Sequence, residues 1–294
     1  MLQDKGAADG GPLLLRGRAA WSSPCGLDQM TGERLLLSVP ASALAGCSSR
    51  GARPTSTDGD PSTALTLTDG DDAVLNLCVR HCARKGVHTG GHLWSCSRHL
   101  ARWLFARRGA LTGLRVLELA CGLALPSLVA ARTGAIVCAT DELDPLLEYV
   151  ATNALANDCT SLTARRLDFT DRSGVLALAE EAWDVVIFAD CVMSGDGGEK
   201  LPLALCELLR GRPGAIAVGV FPPDLRTGVD AFWRQAEAAG LEWEAQEVEG
   251  PEAADPRWGR LYVFRRPPGR VRAWWGEASA DEELAVAPLF EDVL

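Results

Sequence analysis

The sequence predicts an α/β fold, a doubly wound and mostly parallel seven-stranded sheet preceded by an N-terminal β/helix extension. Two short, nearly continuous apolar runs, Val116 to Leu119 and Val185 to Ala189, have the pattern of strands covered on both faces. Strand and helix signals alternate from residue 114 to residue 221, which calls for parallel strands joined by crossovers. The first of these strands runs into a turn of small residues, Ala120-Cys-Gly-Leu-Ala124, and then a helix opening at Leu125-Pro126. Proline suits a first helical turn, where its missing N–H would have no partner anyway. In doubly wound sheets such a corner faces the ligand crevice.

The elements follow in order. Residues 1–62 form an N-terminal extension, partly disordered, with short apolar runs at Leu13 to Leu15 and Leu35 to Val39 and a Gly/Ser/Thr/Asp/Pro-rich link from 46. Residues 63–109 lead into the core. Thr63 to Thr68 alternates, Asp69-Gly70 signals a hairpin, Ala73 to Val79 returns, and Ser95 to Arg107 reads as a helix. The core spans 110–266. Its second strand, 135–140, ends in Asp141, and the next helix has Asp144 as its cap and Pro145 at its first position. A strand at 161–167 ends in Asp168-Phe169, and Trp183 to Asp190 is the clearest buried strand. A helix around Leu201 to Leu209 stops at Gly211-Arg-Pro213, and Ala215 to Phe221 is the next strand. A helix at 229–236 ends by Gly240, and strands at 241–248 and 261–264 close the sheet as an antiparallel pair. Residues 267–294, with Trp274-Trp275, form a tail.

Of the 294 residues, 47% are hydrophobic, ample for one large core. No apolar run approaches the ~18 residues of a membrane helix, and the first residues lack a signal-peptide pattern. Ten cysteines, scattered rather than framed, indicate a reducing, intracellular setting, cytoplasmic with the nucleus also open. A formal charge of −10 argues against nucleic acid as a partner. The charge is uneven, however. Between Asp72 and Glu118 there is no acid, while Arg80, Arg84, Lys85, Arg98, Arg102, Arg107, Arg108 and Arg115 fall there. This basic segment, 80–115, is either a solvated face or a docking face for an acidic partner. All four histidines (His81, His88, His92, His99) lie near Cys78, Cys82 and Cys96, but their spacing departs from the paired ligands of structural zinc sites, so no metal is expected.

The site residues follow from the strand ends. Asp141 can hold the two hydroxyls of a ribose, and Asp190 leaves a buried strand toward the crevice. The turn lacks a dinucleotide Gly-x-Gly-x-x-Gly fingerprint, since Gly122 is its only glycine. Glu118-Leu-Ala-Cys-Gly-Leu-Ala-Leu125 instead resembles the acid-x-Gly-x-Gly turn of S-adenosylmethionine-dependent methyltransferases, with Glu118 as the acid. More closely it resembles methyltransferase family 16, which holds many protein-lysine methyltransferases and where the turn reads Glu-Leu-Gly-Ala-Gly-Thr-Gly-Leu. Ala120 and Ala124 stand where that family has glycine, and imply a turn needing no positive φ or a slightly shifted cofactor. Thr89-Gly-Gly-His-Leu-Trp94 is similar to the family's Thr-Gly-x-x-Val-Trp. Asn153 and Asn157 match its Asn-x-x-x-Asn, and Ala189-Asp190-Cys-Val-Met193 matches Ala-Asp-x-x-Tyr with Met193 for the tyrosine.

The resemblance covers residues 63 to 264 and implies a Rossmann-like methyltransferase sheet with S-adenosylmethionine as cofactor. It places cofactor contacts at Trp94, Glu118, Ala120, Cys121, Gly122, Asp141, Asp168, Phe169 and Ala189, with Phe169 in the place of a tryptophan lying against adenine. It makes Asp190 the catalytic candidate, orienting an acceptor amine. The implied activity is protein-lysine N-methylation, with a protein lysine as substrate. Two other readings stay open: a small-molecule N- or O-methyltransferase, because fold does not fix the acceptor, and an inactive cofactor-binding scaffold.

Overall fold

The computed structural model describes residues 62–68, 73–82, 89–246 and 256–266. The apolar runs of the first 61 residues, the Asp69-Gly70 turn, Arg84, Lys85, His88 and the tail lie outside them. A hairpin, β1 (Ser62–Thr68) and β2 (Val74–Arg80), comes first, in the register Ser62 opposite Arg80. Helices α1 (Ser95–Ala106) and α2 (Arg108–Leu111) follow. The core then runs β3 (Arg115–Leu119), α3 (Leu125–Arg132), β4 (Ile136–Asp141), α4 (Asp144–Ala156), β5 (Leu162–Arg166), α5 (Arg172–Ala179) and β6 (Val185–Ala189). It ends with α6 (Gly195–Leu208), β7 (Ile216–Phe221), α7 (Val229–Ala239), β8 (Glu242–Gln246) and β9 (Arg260–Arg265).

The seven core strands form one sheet in the order β5-β4-β3-β6-β7-β9-β8, parallel except at β9 and β8. The chain starts in the middle with β3, builds outward to β5, then returns to β6 on the other side. That reversal opens a crevice at the carboxyl ends of β3, β4 and β6. Alternate residues of each strand serve opposite faces. Val116, Val185 and Ile187 pack with α1, α3, α4 and the hairpin, while Leu117, Val186 and Phe188 pack with α5, α6 and α7. Both faces are covered, as the unbroken apolar runs require. Each side chain buried to 0% exposure, such as Phe188 or Leu117, contributes about 1.5–3 kcal/mol.

The hairpin is fixed to this core by two side chains of α4. Asn157 accepts from Cys78 N at 2.8 Å and donates to Cys78 O at 2.7 Å. Asn153 accepts from Arg80 N at 2.8 Å and donates to the carbonyls of Arg80 and Leu123, each at 3.4 Å. The spacing fits because four helical residues rise about 6 Å and two strand residues about 6.6 Å. Asn153 thereby ties the hairpin to the turn after β3.

Three local outcomes differ from expectation. Helix α4 begins at Asp144, inside its first turn, and Asp141 rather than Asp144 bonds the entering chain at Leu143 N. Helix α5 was not expected; it starts at Asp171, whose carboxylate accepts from Ser173 N and Gly174 N. Helix α6 starts at Gly195, well before the apolar spacing at Leu201, and its Gly198 lies so close to Gly228 that a Cβ would meet Gly228 O at 2.1 Å.

Four arginines of the basic segment are folded onto aromatic rings. Arg102 lies over Trp258, Arg107 over Trp103, Arg108 over Phe105 and Arg115 over Trp183, at 4.6, 4.2, 5.2 and 4.9 Å from the ring centroids. The face of an aromatic ring attracts such a cation. Burial pushes the Arg107 guanidinium down to about 10. His81 meets Thr63 Oγ1 at 2.7 Å and His99 Nδ1–H donates to the Trp258 carbonyl at 3.2 Å. Among the described residues no group of three potential metal ligands converges, and no helix is long and apolar enough to cross a membrane.

Candidate functional site

The crevice holds a cavity of about 400 Å³. Its wall includes Trp94, Ala120, Cys121, Gly122, Asp141, Asp168, Phe169, Ala189 and Asp190, so the structure brings these separated positions together. Glu118 stands apart. It is 1% exposed, behind the turn, and its carboxyl accepts from Ser127 N at 3.0 Å and from Ser127 Oγ. Burial pushes its pKa up to about 8, against the pull of the Ser127 bonds. Burial thus favours its protonated form, and it anchors the first turn of α3 rather than lining the cavity.

The turn itself corrects the expectation drawn from its two alanines. Ala120 and Ala124 both adopt left-handed backbone, at φ 49° and 59°, the region that favours glycine. Gly122 shares this conformation at φ 53°, and a Cβ there would meet Gly90 O at 2.8 Å. The difference decides which position had to remain glycine. Cys121 N donates to Thr140 O at 2.8 Å and Ala124 N to Cys121 O at 2.7 Å, which holds the strained turn in place.

Asp141 closes the turn from the side. Its Oδ2 accepts from Gly122 N at 3.0 Å and its Oδ1 from Leu143 N at 3.1 Å. Burial raises its pKa, while the N–H bonds from Gly122, Leu143 and Glu142 act the other way. Three N–H bonds leave the carboxylate about one further acceptor site. The carboxylate thus both caps the entry to α4 and faces the cavity. Asp168 is exposed, and its Oδ1 accepts from Thr170 N at 2.8 Å and Thr170 Oγ1 at 2.7 Å. Phe169 beside it presents a ring to the cavity and to the α6 side of the core. Burial pushes the Cys121 and Cys191 thiols up, which keeps both protonated.

At the other end, Trp94 is 38% exposed and donates Nε1–H to Thr89 O at 2.8 Å. Asp190 follows β6 at φ 56°, with its N–H on Val220 O at 2.8 Å. Its carboxylate is forked by Arg226, Nε to Oδ1 at 2.8 Å and Nη2 to Oδ2 at 2.6 Å. The Arg226 guanidinium also lies 5.9 Å from the Trp94 ring centroid. Sequence reasoning missed Arg226; its signal was position alone, in the Pro222-Pro-Asp-Leu-Arg226 loop after a parallel strand. It missed Ser127 and Asp196 as well. Among the described residues, the cavity wall contains Asp141, Glu142, Asp168, Asp190 and Asp196 and neither lysine nor arginine, an environment suited to cationic ligands.

A family model described as lysine methyltransferase matches residues 71–220. The histidine protein methyltransferase 1 homolog of Dictyostelium discoideum is 28% identical over 118 residues, 40% of this chain and 38% of that protein. Histone-arginine methyltransferase METTL23 of Homo sapiens is 28% identical over 124 residues, 42% of this chain and 65% of that protein. The chain therefore matches less than two thirds of the length of either relative. Among solved structures, magnesium protoporphyrin IX methyltransferase from Synechocystis PCC 6803 superposes with a TM-score of 0.44 at 18% identity, covering 58% of this chain and 80% of that one.

Proposed function

We propose that this chain, which belongs to the lysine methyltransferase family, methylates a side-chain nitrogen of a protein substrate, with lysine as the leading acceptor. S-adenosylmethionine is its cofactor, and when bound it supplies an already activated sulfonium methyl. The residues present fit that molecule. The cavity is of ligand size, its carboxylates suit a sulfonium, and Asp141 presents a carboxylate at a strand end. Asp141 binds the ribose, Phe169 stacks on the adenine, and the small side chains of Ala120 and Gly122 let the main chain approach.

The observation that carries the reading is that Asp141 and Asp190 share one cavity wall, which among the described residues holds no lysine or arginine. Asp190 and nearby carbonyls orient the acceptor amine and stabilise the positive charge that grows on it. Trp94 and the loop after β6 exclude water. A second reading concerns the acceptor atom. Met193 supplies no hydroxyl where the family has a tyrosine, and the relatives named above act on histidine and arginine.

The test is incubation with tritium-labelled S-adenosylmethionine and a cell lysate, followed by hydrolysis of labelled protein bands. Methyl-lysine is the expected product. Methylhistidine or methylarginine would move the acceptor, label confined to small molecules would overturn the protein reading, and cofactor binding without transfer would make the chain a scaffold.

A further inference from the structure

We infer that Arg226 is a positioning residue, holding the Asp190 carboxylate in the one orientation that serves the acceptor; this role rests on the methyl-transfer reading above. Asp190 needs such a device. It sits just past the end of β6 in left-handed backbone, φ 56°, with its own N–H···O bond to Val220 holding the main chain. Aspartate tolerates that conformation better than most residues, but tolerance does not set a side-chain rotamer. The Arg226 fork does, because two parallel N–H···O bonds fix a carboxylate plane as well as its position. Asp190 is 8% exposed and lines the cavity, whereas Arg226 does not line it. The guanidinium grips the carboxylate from outside and leaves the remaining lone pairs toward the cavity.

The loop that presents Arg226 is itself locked to the loop that carries Asp190. Thr227 Oγ1 donates to Met193 O at 3.0 Å. Gly228 packs so tightly that a Cβ would meet Ser194 O at 2.2 Å, and Gly198 lies against Gly228 in the same way. These contacts join the ends of β6 and β7 into one rigid unit, as an oriented catalytic group requires. The bond to Asp190 in turn pushes the Arg226 guanidinium further up, so its charge is permanent. Its placement over Trp94 extends the same unit to the segment before α1.

The experiment compares wild type, Arg226→Lys and Arg226→Ala in methyl transfer to the substrate found by lysate labelling, alongside calorimetric binding of S-adenosylhomocysteine and thermal unfolding. Arg226→Ala is expected to lower kcat about 10–100-fold, the order of loss for a misplaced catalytic group, while KM for S-adenosylmethionine and the affinity for S-adenosylhomocysteine stay unchanged. Arg226→Lys keeps the charge without the fork and should fall between. Added methylguanidinium should restore activity to Arg226→Ala in a saturable way. Unchanged kcat in both variants overturns the assignment. So does a loss of cofactor affinity that parallels a loss of thermal stability and is not rescued, which would mark Arg226 as scaffolding. A wild type that binds S-adenosylhomocysteine but labels no protein overturns the functional reading, and this role with it.

Discussion

Replacing Ala120 with glycine should stabilise the protein, although the substitution removes a methyl group from a packed turn. Ala120 is held at φ 49°, and left-handed backbone costs an alanine about 1–2 kcal/mol relative to glycine. Glycine in turn gives the unfolded chain more freedom, which costs about 0.4–1 kcal/mol. The balance is a gain on the order of 0.5–1 kcal/mol, or about 1–4 °C in Tm for a domain of this size. Ala124→Gly at φ 59° should gain less, because the Ala124 methyl is fully buried and its loss costs about 0.8 kcal/mol. Gly122→Ala supplies the contrast. It takes on the same 1–2 kcal/mol of strain and also drives a Cβ to 2.8 Å from a backbone oxygen of Gly90, so it should lower Tm and loosen cofactor binding together. Thermal unfolding by circular dichroism, with and without S-adenosylhomocysteine, reads all three. A drop of more than 1 kcal/mol for Ala120→Gly would refute the strain argument and show that the methyl makes contacts worth more than the backbone costs.

Asp141→Ala should weaken S-adenosylmethionine binding by about 1.5–3 kcal/mol through lost charge-assisted bonds; unchanged affinity by calorimetry in a folded variant would remove Asp141 from the site. Glu118 gives a pH dependence. Its pKa is about 8 in the folded protein against an ordinary 4.5, so between those values the folded state holds a proton that the unfolded state has released. Stability therefore falls as pH rises through this window, by at most about 1.4 kcal/mol per pH unit, and denaturant titrations of Glu118→Gln should show a flatter profile. Asn157→Ala leaves Cys78 N and O without their partner and should cost about 1–3 kcal/mol; hydrogen exchange at Cys78 should quicken, and an unchanged rate would mean that the hairpin is held by its apolar face alone.

Much of the fold was legible because strands buried on both faces write unbroken apolar runs, and Val185 to Phe188 could be little else. Helix α5 escaped because Ser173-Gly174 reads as a breaker, and only the Asp171 cap reveals its start. The first turn of α6 escaped for a related reason. Gly195-Asp-Gly-Gly198 looks like a loop, yet glycine is there for close contact with Gly228. The site divides the same way. Residues at strand ends, such as Asp141 and Asp190, were readable from position. Their partners were not, because the pairing of Asp190 with Arg226, 36 residues later, is created by the adjacency of β6 and β7. The strain at Ala120 was hidden by the residue itself, since alanine argues against the backbone it adopts.

The two asparagines of α4 have a consequence beyond anchoring. A two-stranded hairpin has an outer margin of backbone groups that can template another extended chain, the usual route to edge-to-edge aggregation. Along β2 the groups at Cys78 and Arg80 are already taken by Asn157 and Asn153. Side-chain amides there imitate the missing strand with the same donor and acceptor spacing. They end the ladder where a stray segment would otherwise extend it, so a variant lacking both would be exposed to self-association as well as to loss of stability.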